Sequence, residues 1–144
     1  WINPERTTGI ARKKVEAIKH TGKSVHCVWS DSKLRDHYHI DHCLPFARWP
    51  NNDLWNLLPT SNKSNLEKRD KLASNKRLHG AKENIQHWWS EAWAGNINQE
   101  KRFYTEATVS LPGLNHNSYN LDEVFNALKL QHIRIKEMQQ LNVW

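Results

Sequence analysis

Only two cysteines occur in this chain, Cys27 and Cys43, and neither belongs to a CxxC pair. A disulfide framework is therefore not expected, and a reducing, cytoplasmic setting is. No apolar run approaches the length that crosses a bilayer, and no signal-peptide pattern opens the chain, so no membrane partner is expected. No internal repeat, low-complexity tract or linker divides the sequence, and residues 1–144 read as one domain. The first residue is Trp1 rather than methionine, which suits a domain cut from a larger protein.

What is present is cationic and aromatic. Lys and Arg number 21 against 15 Asp and Glu, a net charge of +6, and that balance favours an anionic partner such as nucleic acid. Eight tryptophans are many for this length. Their spacing suits buried faces, so core packing is the first reading and base stacking the second.

Three zones follow one another. From Asn3 to about Lys23, Thr8 can cap a basic helix with Ile10, Val15 and Ile18 on its apolar side. Arg12, Lys13, Lys14 and Lys19 then form either a solvated face or a phosphate-binding one. From Val25 to Leu72 the pattern is irregular β followed by helix. The segment HCVW is a short strand, SDSK a turn and HYHID a second strand, with a loop at Pro45–Asp53. Leu54–Pro59 is a short apolar stretch, and Asn62–Leu72 is helical. The third zone predicts one helix over Asn75–Ala94, stopped by Gly95. A basic and polar stretch with a turn at Pro112-Gly113 follows. A last helix is capped by Asn120 with Glu123 three residues on, and buries Leu121, Val124, Phe125, Leu128, Ile135 and Met138.

The stretch with chemistry in it runs from His39 to Leu72. Phosphodiester hydrolysis needs a base to activate water and something to offset charge gathering on the phosphoryl oxygens. A histidine near neutral pKa can do the first. A hard divalent cation on oxygen ligands can do the second. Asp41 and His42 are adjacent, so on a strand they face opposite ways and can share a site only where the strand ends or bends. Pro45 supplies such an end. Asn65 and Lys68 are three apart on one helix face and set a neutral oxygen donor beside an ammonium.

Together these residues resemble the HNH endonuclease family, whose motif runs D-H-x-x-P, then N-L, then H or N with x-x-K. The corresponding segments are Asp41-His42-Cys43-Leu44-Pro45, Asn56-Leu57 and Asn65-Leu66-Glu67-Lys68. The resemblance covers the central third of the chain. It implies a ββα-metal core over about residues 25–72; with the helices read on either side, the fold class is α+β, the core embedded in a mainly helical domain with a helical extension over about 75–144. It implies an endonuclease acting on DNA, single- or double-stranded, with His42 as general base and Mg²⁺ or Mn²⁺ held by Asp41 and Asn65. Asn56, the remaining member of the catalytic set, is the central asparagine that ties down the loop. Lys68 is the first candidate for a phosphate contact, and Arg48, Lys63 and Arg69 are further candidates.

Two departures from the family pattern matter. The paired CxxC motifs that bind structural zinc in many members are absent, so no structural zinc is expected. The last anchor is Asn rather than His, and an oxygen donor suits magnesium better than an imidazole does. Nearby residues carry plainer readings: His39 as a surface or outer-shell histidine, Asn62 as a weaker rival to Asn65, and Cys43 as a small buried hydrophobe. Members of the family occur in restriction, phage-defence and CRISPR effector proteins, so other subunits of a larger nucleoprotein or defence complex are a further partner class. Two alternatives differ in kind: a catalytically silent nucleic-acid-binding module, and a zinc-stabilised domain using Cys27, Cys43, His37 and His39.

Overall fold

The structure, a computed structural model, describes residues 5–115 and 119–144; Asn3, where the first helical zone was expected to open, lies outside them. Helix α1 spans Gly9–His20 and buries Ala11, Val15 and Ile18, which recur at helical spacing. It starts at Thr8 through the backbone, with no side-chain cap. It stops where Gly22 takes φ +87°, a left-handed conformation that glycine adopts at no steric cost.

A two-stranded antiparallel ribbon comes next, β1 at His39–His42 and β2 at Leu57–Thr60, paired from His39 opposite Thr60 to His42 opposite Leu57. Helix α2, Asn62–Lys68, follows β2 at once, and the Ser61 hydroxyl caps it by accepting from the Ser64 N–H. The partner of β1 therefore differs from the sequence expectation. His26 and Lys33 make one isolated bridge around the SDSK turn, and the Val28 N–H donates to the Pro59 carbonyl on the outer edge of β2. HCVW thus flanks the ribbon and does not form it. Leu57–Thr60 is buried at every position, so it shows no alternation by which a strand is read from sequence. Pro59 is tolerated because each strand of a two-stranded ribbon has a free edge.

The remaining helices are α3, Asn75–Gly80; α4, Lys82–Trp93; α5, Ile97–Ser110; and α6, Leu121–Gln139. The single helix expected over Asn75–Ala94 is broken at Ala81, directly after Gly80, the weakest helix former in that run. The basic and polar stretch after Gly95, given no element by the sequence, is α5. Its cap is Asn96, whose side chain accepts from the Asn98 and Gln99 N–H groups. Phe103, Tyr104 and Ala107 are its buried face, while Ile97 and Val109 are about four-fifths exposed and blur the pattern. Asn120 caps α6 as expected, but Met138 is 80% exposed and Leu121 only half-buried; Ala127 and His132 take inward places instead.

Helix α4 is the hub, touching α1, α3, α5, α6 and β2. Its tryptophans do two jobs. Trp88, Trp89 and Trp93 are buried, and the Trp88 indole N–H donates to the Leu57 carbonyl at 2.8 Å while that of Trp89 donates to the Trp55 carbonyl at 3.1 Å. The same rings that supply apolar burial thereby hold β2 and the short 3₁₀ turn before it, Leu54–Asn56. Trp29, Trp49 and Trp144 are half-buried. Among the described residues no helix is long and apolar enough to cross a membrane.

Candidate active site

Strand β1 ends at His42, and the chain bends through Cys43-Leu44 toward Pro45. That bend lets two adjacent side chains face one place. Asp41 and His42 both line a cleft of about 360 Å³, together with Asn65 from α2 and Phe46, Arg6 and Arg69. The carboxylate, the imidazole and the amide are thus brought together by the strand end and the helix, as the spacing required.

Asn56 is wholly buried, and every hydrogen bond it makes goes to backbone. Its Oδ1 accepts from the Leu44 N–H at 2.8 Å, and its Nδ2 donates to the Leu44 and Asn51 carbonyls. It shapes the bend after His42 and does not line the cleft. The loop it closes is anchored from outside. The Leu54 N–H donates to Glu106 Oε1 at 2.9 Å, and Asp53 accepts from the Ser110 hydroxyl and the Trp55 indole. Glu106 and Ser110 both lie on α5.

Lys68 is not where a phosphate contact would be. It has no exposed surface, and its ammonium sits 3.1 Å from Asp41 Oδ2, 3.3 Å from Oδ1 and 3.1 Å from the His42 carbonyl. Three acceptors meet its three donors, so the charge is satisfied inside the protein. Asp41 also accepts from the Trp29 indole N–H at 3.3 Å. Arg48 and Lys63 are exposed but lie off the cleft, and Arg69 is exposed and on it. His39 and Asn62 are exposed and do not line it. Cys43 is buried, and burial pushes its thiol up to about 12, consistent with an inert apolar role.

Several residues that line the cleft or touch those that do carried no motif. Arg6 reaches it from the segment before α1, its guanidinium 5.4 Å from the centre of the Phe46 ring. Phe46 packs edge-on to the His42 imidazole at 5.2 Å. Asn52 Oδ1 lies 2.8 Å from His42 Nε2. Burial lowers the His42 pKa from its ordinary value, with Arg6 and Lys68 acting the same way, against the opposing pull of Asn52 and Asp41. The shift favours the neutral ring, the form able to accept a proton.

The donor chemistry of the cleft bears on a metal. Among the described residues no group of three or more His, Cys, Asp or Glu converges, which disposes of the zinc set Cys27, Cys43, His37 and His39 within them. Besides the His42 imidazole, the cleft offers two carboxylates, Asp41 and Asp70, and the Asn65 amide oxygen. These few oxygen donors fit a hard cation that keeps most of its water, not one that needs a closed cage.

A two-stranded ribbon followed by a helix, with a carboxylate and an imidazole at the strand end, defines a ββα unit. Residues 27–74 match the family model described as HNH endonuclease, and this segment is similar to that family. The match takes in β1, β2 and α2 and leaves α1 and α3–α6 outside. No curated protein and no solved structure matches the chain.

Proposed function

We propose that this protein is a divalent-metal-dependent endonuclease that hydrolyses DNA phosphodiester bonds. The observation that carries the reading is the convergence of Asp41, His42 and Asn65 on one cleft whose rim holds Arg6 and Arg69. The two guanidiniums receive the phosphate, which carries no sequence information and sets the register of the strand. His42 takes the proton of the attacking water, and its lowered pKa keeps it in the accepting form. Asp41 and Asn65 would hold Mg²⁺ or Mn²⁺, which when bound supplies positive charge to the phosphoryl oxygens. Asn56 holds the bend that presents His42.

The Asp41–Lys68 pair sets the strength of metal binding. Its net charge is zero, so the cleft attracts a dication weakly until a phosphate adds negative charge. Metal affinity measured calorimetrically on the chain alone should therefore be weak, and should tighten when an uncleavable nucleic acid is present. The central test is incubation with plasmid and single-stranded DNA in Mg²⁺, Mn²⁺ or chelator. Cleavage should need the metal, and Asp41→Ala should lose it. Full cleavage in excess chelator would overturn the metal assignment.

A further inference from the structure

We infer that Asn52 is the positioning residue of the site: clamped by the segment before α1, it fixes which ring nitrogen of His42 is free to act as base. The inference rests on the nuclease reading for its consequence, but not for its geometry. Three contacts converge on the Asn52 amide. The Thr7 N–H donates to Oδ1 at 3.1 Å, Nδ2 donates to the Glu5 carbonyl at 2.8 Å, and His42 Nε2 lies 2.8 Å from Oδ1. A backbone N–H can only donate and a backbone carbonyl can only accept, so the amide has one allowed orientation. Its oxygen then faces His42, and an oxygen with no proton can only accept. Nε2 must therefore carry the hydrogen.

In a neutral imidazole the other nitrogen is then the acceptor. No described residue hydrogen-bonds His42 Nδ1, and His42 lines the cleft, so Nδ1 is the atom left for water. The edge contact with Phe46 fixes the plane of the ring, and Asn52 fixes its tautomer and its rotation within that plane. Asn52 itself touches no reacting atom. A feature of the sequence far from the motif thus reaches the base: the backbone of Glu5 and Thr7 orients Asn52, and Arg6 between them lines the same cleft.

The experiment compares the full chain with Asn52→Leu, which keeps the size and removes the acceptor, and Asn52→Asp, which keeps an oxygen for both Nε2–H and Thr7 N–H. The first readout is the imidazole N–H resonance of His42 in chelator, assigned by its loss in His42→Ala. The wild-type and Asn52→Asp chains should show a slowly exchanging Nε2–H, and Asn52→Leu should lose it. The second readout is steady-state cleavage. Asn52→Leu should lower kcat by about 10-fold or more at unchanged KM, within the 10² to 10⁴ that the base itself supplies, and Asn52→Asp should keep about half of kcat. If Asn52→Leu does not fold, Asn52→Ala, which removes the acceptor with less bulk, decides against the wild type through the same resonance. A protected Nε2–H surviving in Asn52→Leu, or one absent from the wild type, overturns the inference. Because the resonance is read without substrate, a wild-type chain that cleaves nothing defeats the nuclease reading and leaves the Asn52 assignment standing.

Discussion

At the scale of single residues, Lys68 carries the largest structural consequence. Its ammonium and the Asp41 carboxylate are both buried, and each is the other's main counter-charge. Removing one partner of such a pair leaves a buried charge alone, which costs about 3–5 kcal/mol. Lys68→Met should therefore lower the unfolding temperature by roughly 10 °C in a thermal melt. Adding Asp41→Asn to it should restore part of that loss, because both charges are then gone. A Lys68→Met chain as stable as the wild type would contradict the buried pairing. His42 gives a different signature. His42→Ala should lose about 10² to 10⁴ in rate while the fold survives. The rising limb of the wild-type pH–rate profile should fall below about 6.5, since burial lowers the ring's pKa, and should be absent from His42→Ala under metal saturation.

At the scale of elements, the end of α2 is informative. Arg69 follows Lys68 with φ +55° and ψ −129°, a conformation that favours glycine. A side chain held there stores on the order of 1–3 kcal/mol, and such strain gathers at functional positions. Here the strained residue is an arginine on the rim of the cleft. Arg69→Gly should raise the melting temperature and weaken DNA binding together, a split that neither a neutral surface residue nor a purely structural one would give. Its salt dependence is the second check. Each phosphate neutralised on duplex DNA contributes a log–log slope of about −0.9, so Arg69→Gly should flatten the slope by about one contact. An unchanged slope would place Arg69 outside the interface. Helix α5 acts at the same scale from further away, since Glu106 and Ser110 anchor the loop on which Asn52 and Asn56 sit.

At the scale of the whole molecule, stability should depend on pH through a group that does not line the cleft. His132 of α6 is buried, its Nε2 donates to the Ala73 carbonyl, and its Nδ1 has no hydrogen-bond partner among the described residues. Burial lowers its pKa, with the Lys136 and Lys68 charges adding to the effect. The unfolded chain, whose histidine titrates near about 6.5, then binds a proton that the folded ring resists. Stability is therefore full above about 6.5 and is lost as pH falls from there toward the folded pKa. His132→Gln, neutral throughout, should flatten urea-unfolding curves compared between about pH 7 and pH 5. A wild-type stability that rises on acidification over that range would contradict the assignment.

Local placement was legible in the amino-acid sequence wherever residue type and spacing alone decide the outcome. Asp41, His42 and Asn65 at motif spacing, the bend enforced before Pro45, and the Asn120 cap all depend on near neighbours, and the structure places them accordingly. The partner of β1 was not legible, because Leu57–Thr60 is buried on both faces and leaves no alternation. Helix α5 was hidden by exposed Ile97 and Val109. Lys68 read as a phosphate ligand because helix spacing shows which face a residue shares and not whether that face is wet; the fold turned it inward onto Asp41. The roles of Arg6, Trp29 and Asn52 belong to tertiary structure entirely. Each meets the site across a loop or a chain of intervening elements, and a hydrogen bond between residues 10 or 45 apart has no trace in local periodicity.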